Sequence, residues 1–287
     1  MAQPEKKSFS FLSDQQMMVR DVARGVATDA IAPTAAERDR TAAWPHAELK
    51  ALASLGFMGM LPPEQYGGSN AGFLSYCLAL EEIAAADAGV GTIFHVHNVT
   101  AYTIALHGTE EQKQKYLPPM LRGEKIGAFL LTEPQAGSDT AAFRATARRD
   151  GDHYVLNGTK QFISNGSEAG MTIVLARTDP QAGRKGFTTF LVDPASSGYN
   201  IARVEDKLGQ RTAHIAQIQL DNLRVAASNV LGEVGGGYKI VMGGLSDGRI
   251  AIAAQAVGVA QAALDAAIRY ASEREAYGKP IAALQAV

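Results

Sequence analysis

The sequence predicts an α+β chain with an N-terminal helical domain, a middle antiparallel β domain and an incomplete C-terminal helical bundle. Three observations carry this. Apolar residues recur at helical spacing from residue 11 to about 122, the period shortens to two between about Lys125 and Val230, and helical spacing returns at Gly237. The expected domains are therefore residues 1–123, 124–231 and 232–287.

In the first region, Ser13 and Asp14 are placed to cap a helix whose apolar positions include Met17, Met18, Val22, Val26 and Ile31, ending at Pro33. Pro45 to Leu55 reads as a second helix, stopped at Gly56. Pro62-Pro63 and Gly67-Gly68 punctuate a loop. Phe73 to Ala86 and Gly91 to His107 are apolar on most faces, which predicts buried helices. Thr109, Glu110 and Glu111 open a short helix with an acidic first turn suited to the helix dipole.

In the middle region, Asn157-Gly158 and Asn165-Gly166 lie between β-rich runs, and the first pair predicts a hairpin turn. Ile173 to Ala176, Phe187 to Val192 and the alternating Ile215, Ile218 and Leu220 read as strands of a half-buried antiparallel sheet. Lys185-Gly186 and Ser197-Gly198 supply turns. From Gly237 a proline-free helical run reaches about Arg274, roughly 55 Å at 1.5 Å per residue. Its Ala and Gly content suits close approach to neighbouring helices, and Asp247, Arg249, Gln255, Gln261 and Asp265 argue against a membrane span. One neighbour cannot cover all its apolar faces. Pro280 is placed to start a further helix, and the chain then reads as stopping mid-domain at Val287.

Composition narrows the function. Net charge is −2, with 27 basic and 29 acidic residues dispersed along the chain, so no basic stripe points to nucleic acid. Cys77 is the only cysteine, which excludes an internal disulfide and reads as a small core residue rather than a reactive thiol. No secretory signal or uninterrupted membrane-length apolar stretch is seen, so a soluble, cytoplasmic protein is expected. The Gly-rich phosphate signatures and the G-x-S-x-G elbow are absent, and Gly235-Gly236-Gly237 reads as a loop entering the long helix. His95 and His97 sit two apart on a helix and diverge by about 200°, which predicts buried or cavity-lining histidines rather than a metal pair. The segment F-L-L-T-E-P-Q-A-G-S-D, Phe129 to Asp139, runs from a strand into a turn. Either it is a plain turn, or its N–H groups and the hydroxyls of Thr132 and Ser138 hold a flat heterocycle or a phosphate.

The segment T-E-P-Q-A-G-S-D resembles the signature of the acyl-CoA dehydrogenase family. Four further segments follow in the family's order: N-G-T-K-Q-F-I-S-N (Asn157 to Asn165), L-G-Q-R-T (Leu208 to Thr212), D-G-R-I-A-I-A-A-Q-A-V-G-V-A-Q (Asp247 to Gln261) and R-E-A-Y-G-K-P-I (Arg274 to Ile281). The resemblance covers essentially the whole chain and leans to the short-chain branch. It implies FAD as cofactor, with Phe129, Leu131, Thr132, Gly137 and Ser138 on the strand and turn lining it, and Phe162, Ile163 and Ser164 beside the isoalloxazine. Arg274 and Gln285 match positions contacting the FAD of a neighbouring subunit, which implies a homo-oligomer, a dimer of dimers. Ser138, Ser246, Asp247, Gly248 and Arg249 match positions beside the acyl-CoA substrate.

The implied reaction is α,β-dehydrogenation of an acyl-CoA thioester to the 2-enoyl-CoA, with hydride transfer to FAD and electrons passed on to electron-transfer flavoprotein. The implied location is cytoplasmic, or the mitochondrial matrix in a eukaryote. The family's catalytic Glu is expected beyond Val287; a minority of members carry it immediately before the arginine matched by Arg249, where this chain has Gly248, and Asp247 is turned about 100° away. No base is therefore assigned. Leu130 and Gln135 depart from the family pattern. Besides the dehydrogenase reading, a non-catalytic remnant that binds flavin or acyl-CoA, or only assembles with partners, and an acyl-CoA oxidase-like flavoenzyme stay open.

Overall fold

The computed structural model describes residues 11–285 and 287. Helix α1 spans Asp14–Val26 and opens on a capping box, with Gln16 N donating to Ser13 Oγ (3.2 Å) and Ser13 N to Gln16 Oε1 (2.9 Å). It does not stop cleanly at Pro33. The backbone relaxes into a π turn at Ala27–Ile31 and a 3-10 turn at Ala32–Thr34, because proline cannot donate to the helical ladder. Met18 and Val22 face outward, while Val26 and Ile31 are buried.

A short helix that the periodicity did not reveal, α2 (Ala35–Thr41), follows. It carries Arg38, which is buried against Glu48, the Ile31 carbonyl (2.8 Å) and Asp87 (2.8 Å). Helix α3 (His46–Ser54) ends near Gly56, whose φ of 78° is the left-handed conformation glycine adopts without strain. Helices α4 (Phe73–Ala86) and α5 (Ala88–His107) are the buried pair expected. The second begins before Gly91, because the Asp87 carboxylate accepts from Gly89 N (2.8 Å) and Val90 N (3.2 Å) and fixes the start at Ala88. Helix α6 (Glu110–Leu121) opens on a second capping box, Thr109 with Gln112.

The middle region is a mixed sheet. Its strands are β1 (Ile126–Leu130), β2 (Thr146–Asp150), β3 (His153–Ser164), β4 (Ala169–Arg177), β5 (Phe187–Val192), β6 (Tyr199–Val204), β7 (Ile215–Ala226) and β8 (Val230–Leu231). They are ordered β6-β7-β3-β2-β4-β5-β8, with β1 laid parallel on β4. Most pairings are antiparallel, as expected, but β1 and the first residue of β2, Thr146, meet β4 in parallel. Strand β5 is not half-buried: all six residues are covered. Leu191 packs with Ile104, Leu117 and Met120 from α5 and α6, while Phe190 and Val192 face the core of the sheet.

The hairpin expected at Asn157-Gly158 is a correction. Both residues lie inside β3, at a bulge where its register against β7 shifts between Leu156 and Gly158. Gly158 is needed for space there, since a Cβ would stand 2.7 Å from that of Ala145. The tight β2–β3 turn lies instead at Gly151-Asp152, between the paired Asp150 and His153.

Helix α7 spans Gly237–Glu273, 37 residues. Gly248, Ala251, Gln255 and Gly258 pack on α4 and α5, Val241 packs with Leu131, Leu175 and Phe187 of the middle region, and the opposite face leaves Ile250, Val257, Leu264, Ile268 and Tyr270 exposed. By length and composition α7 is apolar enough to cross a membrane; its buried stripe is what seats it on the other helices. No helix starts at Pro280. A two-stranded ribbon, β9 (Glu275–Ala276) with β10 (Lys279–Pro280), turns on Tyr277 and Gly278 (φ 54° and 73°) and passes into a 3-10 turn at Ile281–Ala283. Cys77 is half-buried beside the helical core, and burial pushes its thiol up to about 11.

Candidate functional site

β1 ends at Leu130 and delivers the 131–138 segment to the sheet surface. Glu133 and Ala136 close the turn by exchanging backbone hydrogen bonds of 2.9 and 3.0 Å. The turn is locked from below by a buried ion pair. Lys160 Nζ, on β3 and fully buried, donates to Glu133 Oε1 (2.9 Å) and to the Leu131 carbonyl (2.9 Å). The Glu133 carboxylate also accepts from Arg144 N (2.6 Å), Ala145 N (2.9 Å) and the Gln135 amide (2.7 Å). Burial alone pushes Glu133 up, but the Lys160 ammonium and these N–H donors outweigh it and hold its carboxyl below the usual range. Burial lowers Lys160 to about 8 against the pull of Glu133. The pair fixes a loop whose upper surface, Pro134, Gln135, Gly137 and Ser138, is exposed.

The expected flavin-side residues divide by their surroundings. Phe129 and Thr132 are partly exposed, Leu131 is buried along the cavity described below, and Gly137 has only the Thr132 methyl within reach of its missing Cβ, 3.8 Å away. Gln161 N donates to the Thr132 carbonyl (2.8 Å), so the turn and β3 are tied side by side. Phe162 is 61% exposed with φ +57°, a left-handed conformation that costs a non-glycine residue energy and turns the ring out of the sheet. Ile163 points the other way into the core, so its side chain cannot touch a ligand on that face; Ser164 is partly exposed.

Between α5, α7 and β1 lies a partly open apolar cavity of about 120 Å³, lined by His95, Val96, Val99, Phe129, Leu131, Val241, Gly244, Leu245 and Gly248. Gly248 keeps it open, since a Cβ there would sit 3.6 Å from His95 Nε2. Of the expected substrate-side residues, only Gly248 lines it. Ser246 is exposed with its hydroxyl returned to the Met242 carbonyl (3.1 Å), Arg249 is exposed, and Asp247 borders a separate small depression with Leu61, Phe73 and Tyr102. Arg274 and Gln285 are exposed beyond the end of α7 and do not reach the cavity. No carboxylate lines it, and among the described residues no cluster of potential metal ligands exists.

His95 and His97 diverge as helical geometry requires. His97 is fully buried, donates from Nε2 to the Met58 carbonyl (2.9 Å) and accepts at Nδ1 from Gly127 N (3.0 Å). His95 turns to Tyr76, 2.6 Å from Nδ1, and to the cavity. Burial lowers both to about 4, so each is neutral at pH 7. No role for Glu133, Lys160 or Tyr76 was legible in the sequence. The first two stand inside the quoted motifs, but their neighbours there, Thr132, Pro134 and Gln135, and Thr159 and Gln161, do not signal burial, which tertiary packing imposes; nothing in the sequence marked Tyr76.

The fold and this site together define a class. The acyl-CoA dehydrogenase N-terminal, middle and C-terminal domain profiles match residues 13–124, 128–223 and 235–287. The chain belongs to the acyl-CoA dehydrogenase family of oxidoreductases, whose members are flavin-dependent. It is 44% identical over 278 residues to the 3-(aryl)acrylate reductase of Clostridium sporogenes, covering 96% of this chain and 74% of that protein. It superposes on butyryl-CoA dehydrogenase from Megasphaera elsdenii with a TM-score of 0.93 at 40% identity, over 97% of this chain and 74% of that one. On a glutaryl-CoA dehydrogenase from Mycobacterium smegmatis in complex with FADH2 the TM-score is 0.90 at 32% identity, over 96% and 70%.

Proposed function

We propose that this chain binds FAD on the 129–138 turn and the Phe162–Ser164 segment and oxidises short acyl-CoA thioesters at the α,β bond. The observation that carries the reading is adjacency: Phe129, on the strand leading into the turn, and Leu131, the first residue after it, both line the wall of the apolar cavity. A flat cofactor on the turn is thereby set next to a space shaped for an acyl chain. The residues fit a flavin. Exposed backbone at Gly137 and Ser138 offers donors, and an exposed aromatic held out at a costly φ offers a stacking face. Bound there, FAD supplies the hydride acceptor. The chain's own residues orient it, through the Glu133–Lys160 lock, and exclude water from the cavity through Val96, Val99, Val241 and Leu245.

In this reading the electrons pass to electron-transfer flavoprotein, and the working form is a homo-oligomer in which the exposed Arg274 and Gln285 meet a neighbouring subunit's FAD. In the same reading the chain divides into residues 1–123, 124–231 and 232–287, a division supported among the described residues by the change from helix to sheet after α6 and back to helix at α7. One observation favours a second reading, a chain that binds flavin and acyl-CoA without abstracting a proton itself: no carboxylate borders the cavity.

The visible spectrum of the purified, FAD-incubated protein, followed by anaerobic addition of butyryl-CoA, tests both. A flavin band that bleaches supports the dehydrogenase. A band that shifts without bleaching supports the second reading, and a protein that retains no flavin refutes both.

A further inference from the structure

His95 is the one polar side chain in an otherwise apolar cavity wall. It is only 8% exposed, and it meets that exposure at the cavity, so whatever reaches Nε2 comes through that space. Nδ1 is held 2.6 Å from the hydroxyl of Tyr76, itself fully buried on α4. Nε2 has no hydrogen-bond partner among the described residues and faces the space kept free by Gly248. Burial raises Tyr76 well above its ordinary value, so the phenol keeps its proton, and Nδ1 is the only acceptor it meets among the described residues. The phenol therefore donates to Nδ1. A neutral imidazole that accepts at Nδ1 carries its proton at Nε2. The result is a fixed N–H donor aimed into an apolar cavity.

We propose that His95 is a specificity-determining residue whose Nε2–H makes the cavity select acyl thioesters carrying a neutral oxygen acceptor, hydroxy- or oxo-acyl chains, over alkyl chains of equal size. The oxygen is neutral because no cation lines the cavity and a carboxylate would be buried there without a counter-charge. Selection follows from the cost of an unmet donor: a plain alkyl chain displaces water from Nε2 and gives it nothing in return. This rests on the proposed reading of the cavity as the acyl site.

Binding of 4-hydroxybutyryl-CoA and pentanoyl-CoA, in which hydroxyl replaces methyl, is measured by calorimetry on the FAD-loaded chain. The hydroxyacyl thioester binds about ten-fold tighter to the wild type, the worth of one hydrogen bond. His95→Leu reverses the order while keeping or improving pentanoyl-CoA affinity, and Tyr76→Phe, which frees the tautomer, narrows it. Independently of any ligand, the imidazole ¹⁵N shifts of histidine-labelled wild type show His95 protonated at Nε2. An unprotonated Nε2, a wild type without the preference, or a preference that survives in His95→Leu overturns the proposal. A wild type that binds neither thioester refutes the acyl-CoA reading of the cavity, and this proposal falls with it.

Discussion

Replacing Lys160 by Met leaves volume and packing nearly intact and removes only the charge. Glu133 then keeps its N–H donors from Arg144 and Ala145 but loses the ammonium 2.9 Å away, with no water to replace it. Breaking a buried pair from one side costs about 3–5 kcal/mol, because the surviving charge is left uncompensated. At roughly 2–4 °C per kcal/mol for chains of this size, the melting temperature falls by about 6–20 °C. The double variant Lys160→Met with Glu133→Gln removes both charges and recovers part of the loss: the amide oxygen accepts from only one of Arg144 N and Ala145 N, and the other donor is left facing the amide NH2. Thermal and urea unfolding of the four proteins in the cycle give the coupling directly. FAD affinity is read in parallel, and it weakens in Lys160→Met because the Leu131 carbonyl is released and the turn loosens. A Lys160→Met protein within about 1 kcal/mol of wild type, or a double variant no more stable than the single one, refutes the claim that this pair locks the turn.

Phe162→Gly removes the cost of a left-handed φ of +57° at a largely exposed ring, and is expected to raise fold stability by about 1 kcal/mol while flavin affinity falls; urea unfolding and flavin titration check the two halves. Gly258→Ala places a Cβ 2.1 Å from the Glu81 carbonyl oxygen and forces α4 and α7 apart, an overpacking loss of about 1–3 kcal/mol, whereas Gly243→Ala meets nothing within 4 Å and gains up to about 1 kcal/mol of helix propensity. Calorimetric melting of both separates close contact from propensity. His95 and His97, neutral when folded and lowered to about 4, take up protons near 6.5 once unfolded. The unfolded chain therefore binds more protons between those values, and stability falls as pH drops from 6.5 towards 4, by up to about 3 kcal/mol for each histidine. Urea unfolding at pH 7 and 4.5 shows the fall, and His97→Gln shows a smaller one; an equal slope in the variant refutes the assignment.

The helices and most strands were legible because their signals are local. Capping boxes at Ser13 and Thr109, glycine at 56 and the uninterrupted run from Gly237 each act within a few residues. Two misreadings share a cause. Asn157-Gly158 carries the turn dipeptide, yet glycine is there for the approach of Ala145, a contact set by tertiary packing. Pro280 can start a helix, but the Tyr277-Gly278 turn folds the chain back first. Within the site, the turn and Phe162 stood out as motifs. The cavity did not: His95, Phe129 and Gly248 lie on three elements and meet only once α5, β1 and α7 have docked. Ser246 and Arg249 lie two residues before and one after Gly248, turned about 200° and 100° around the helix from it, so they face away from the cavity.

One contact of α5 bears on how the protein behaves in company. β1 pairs with β4 along one side only, and a strand with an open side is a template for pairing with other chains. Here the open side is closed by side chains. His97 takes the Gly127 N–H, and Asn165 donates to the Gly127 carbonyl at 3.0 Å. Both are fully buried, and their own geometry prevents a foreign strand from entering. The histidine that secures helix to sheet thus also acts as a guard against self-association, and its loss would be felt first in yield and solubility rather than in the chemistry of the site.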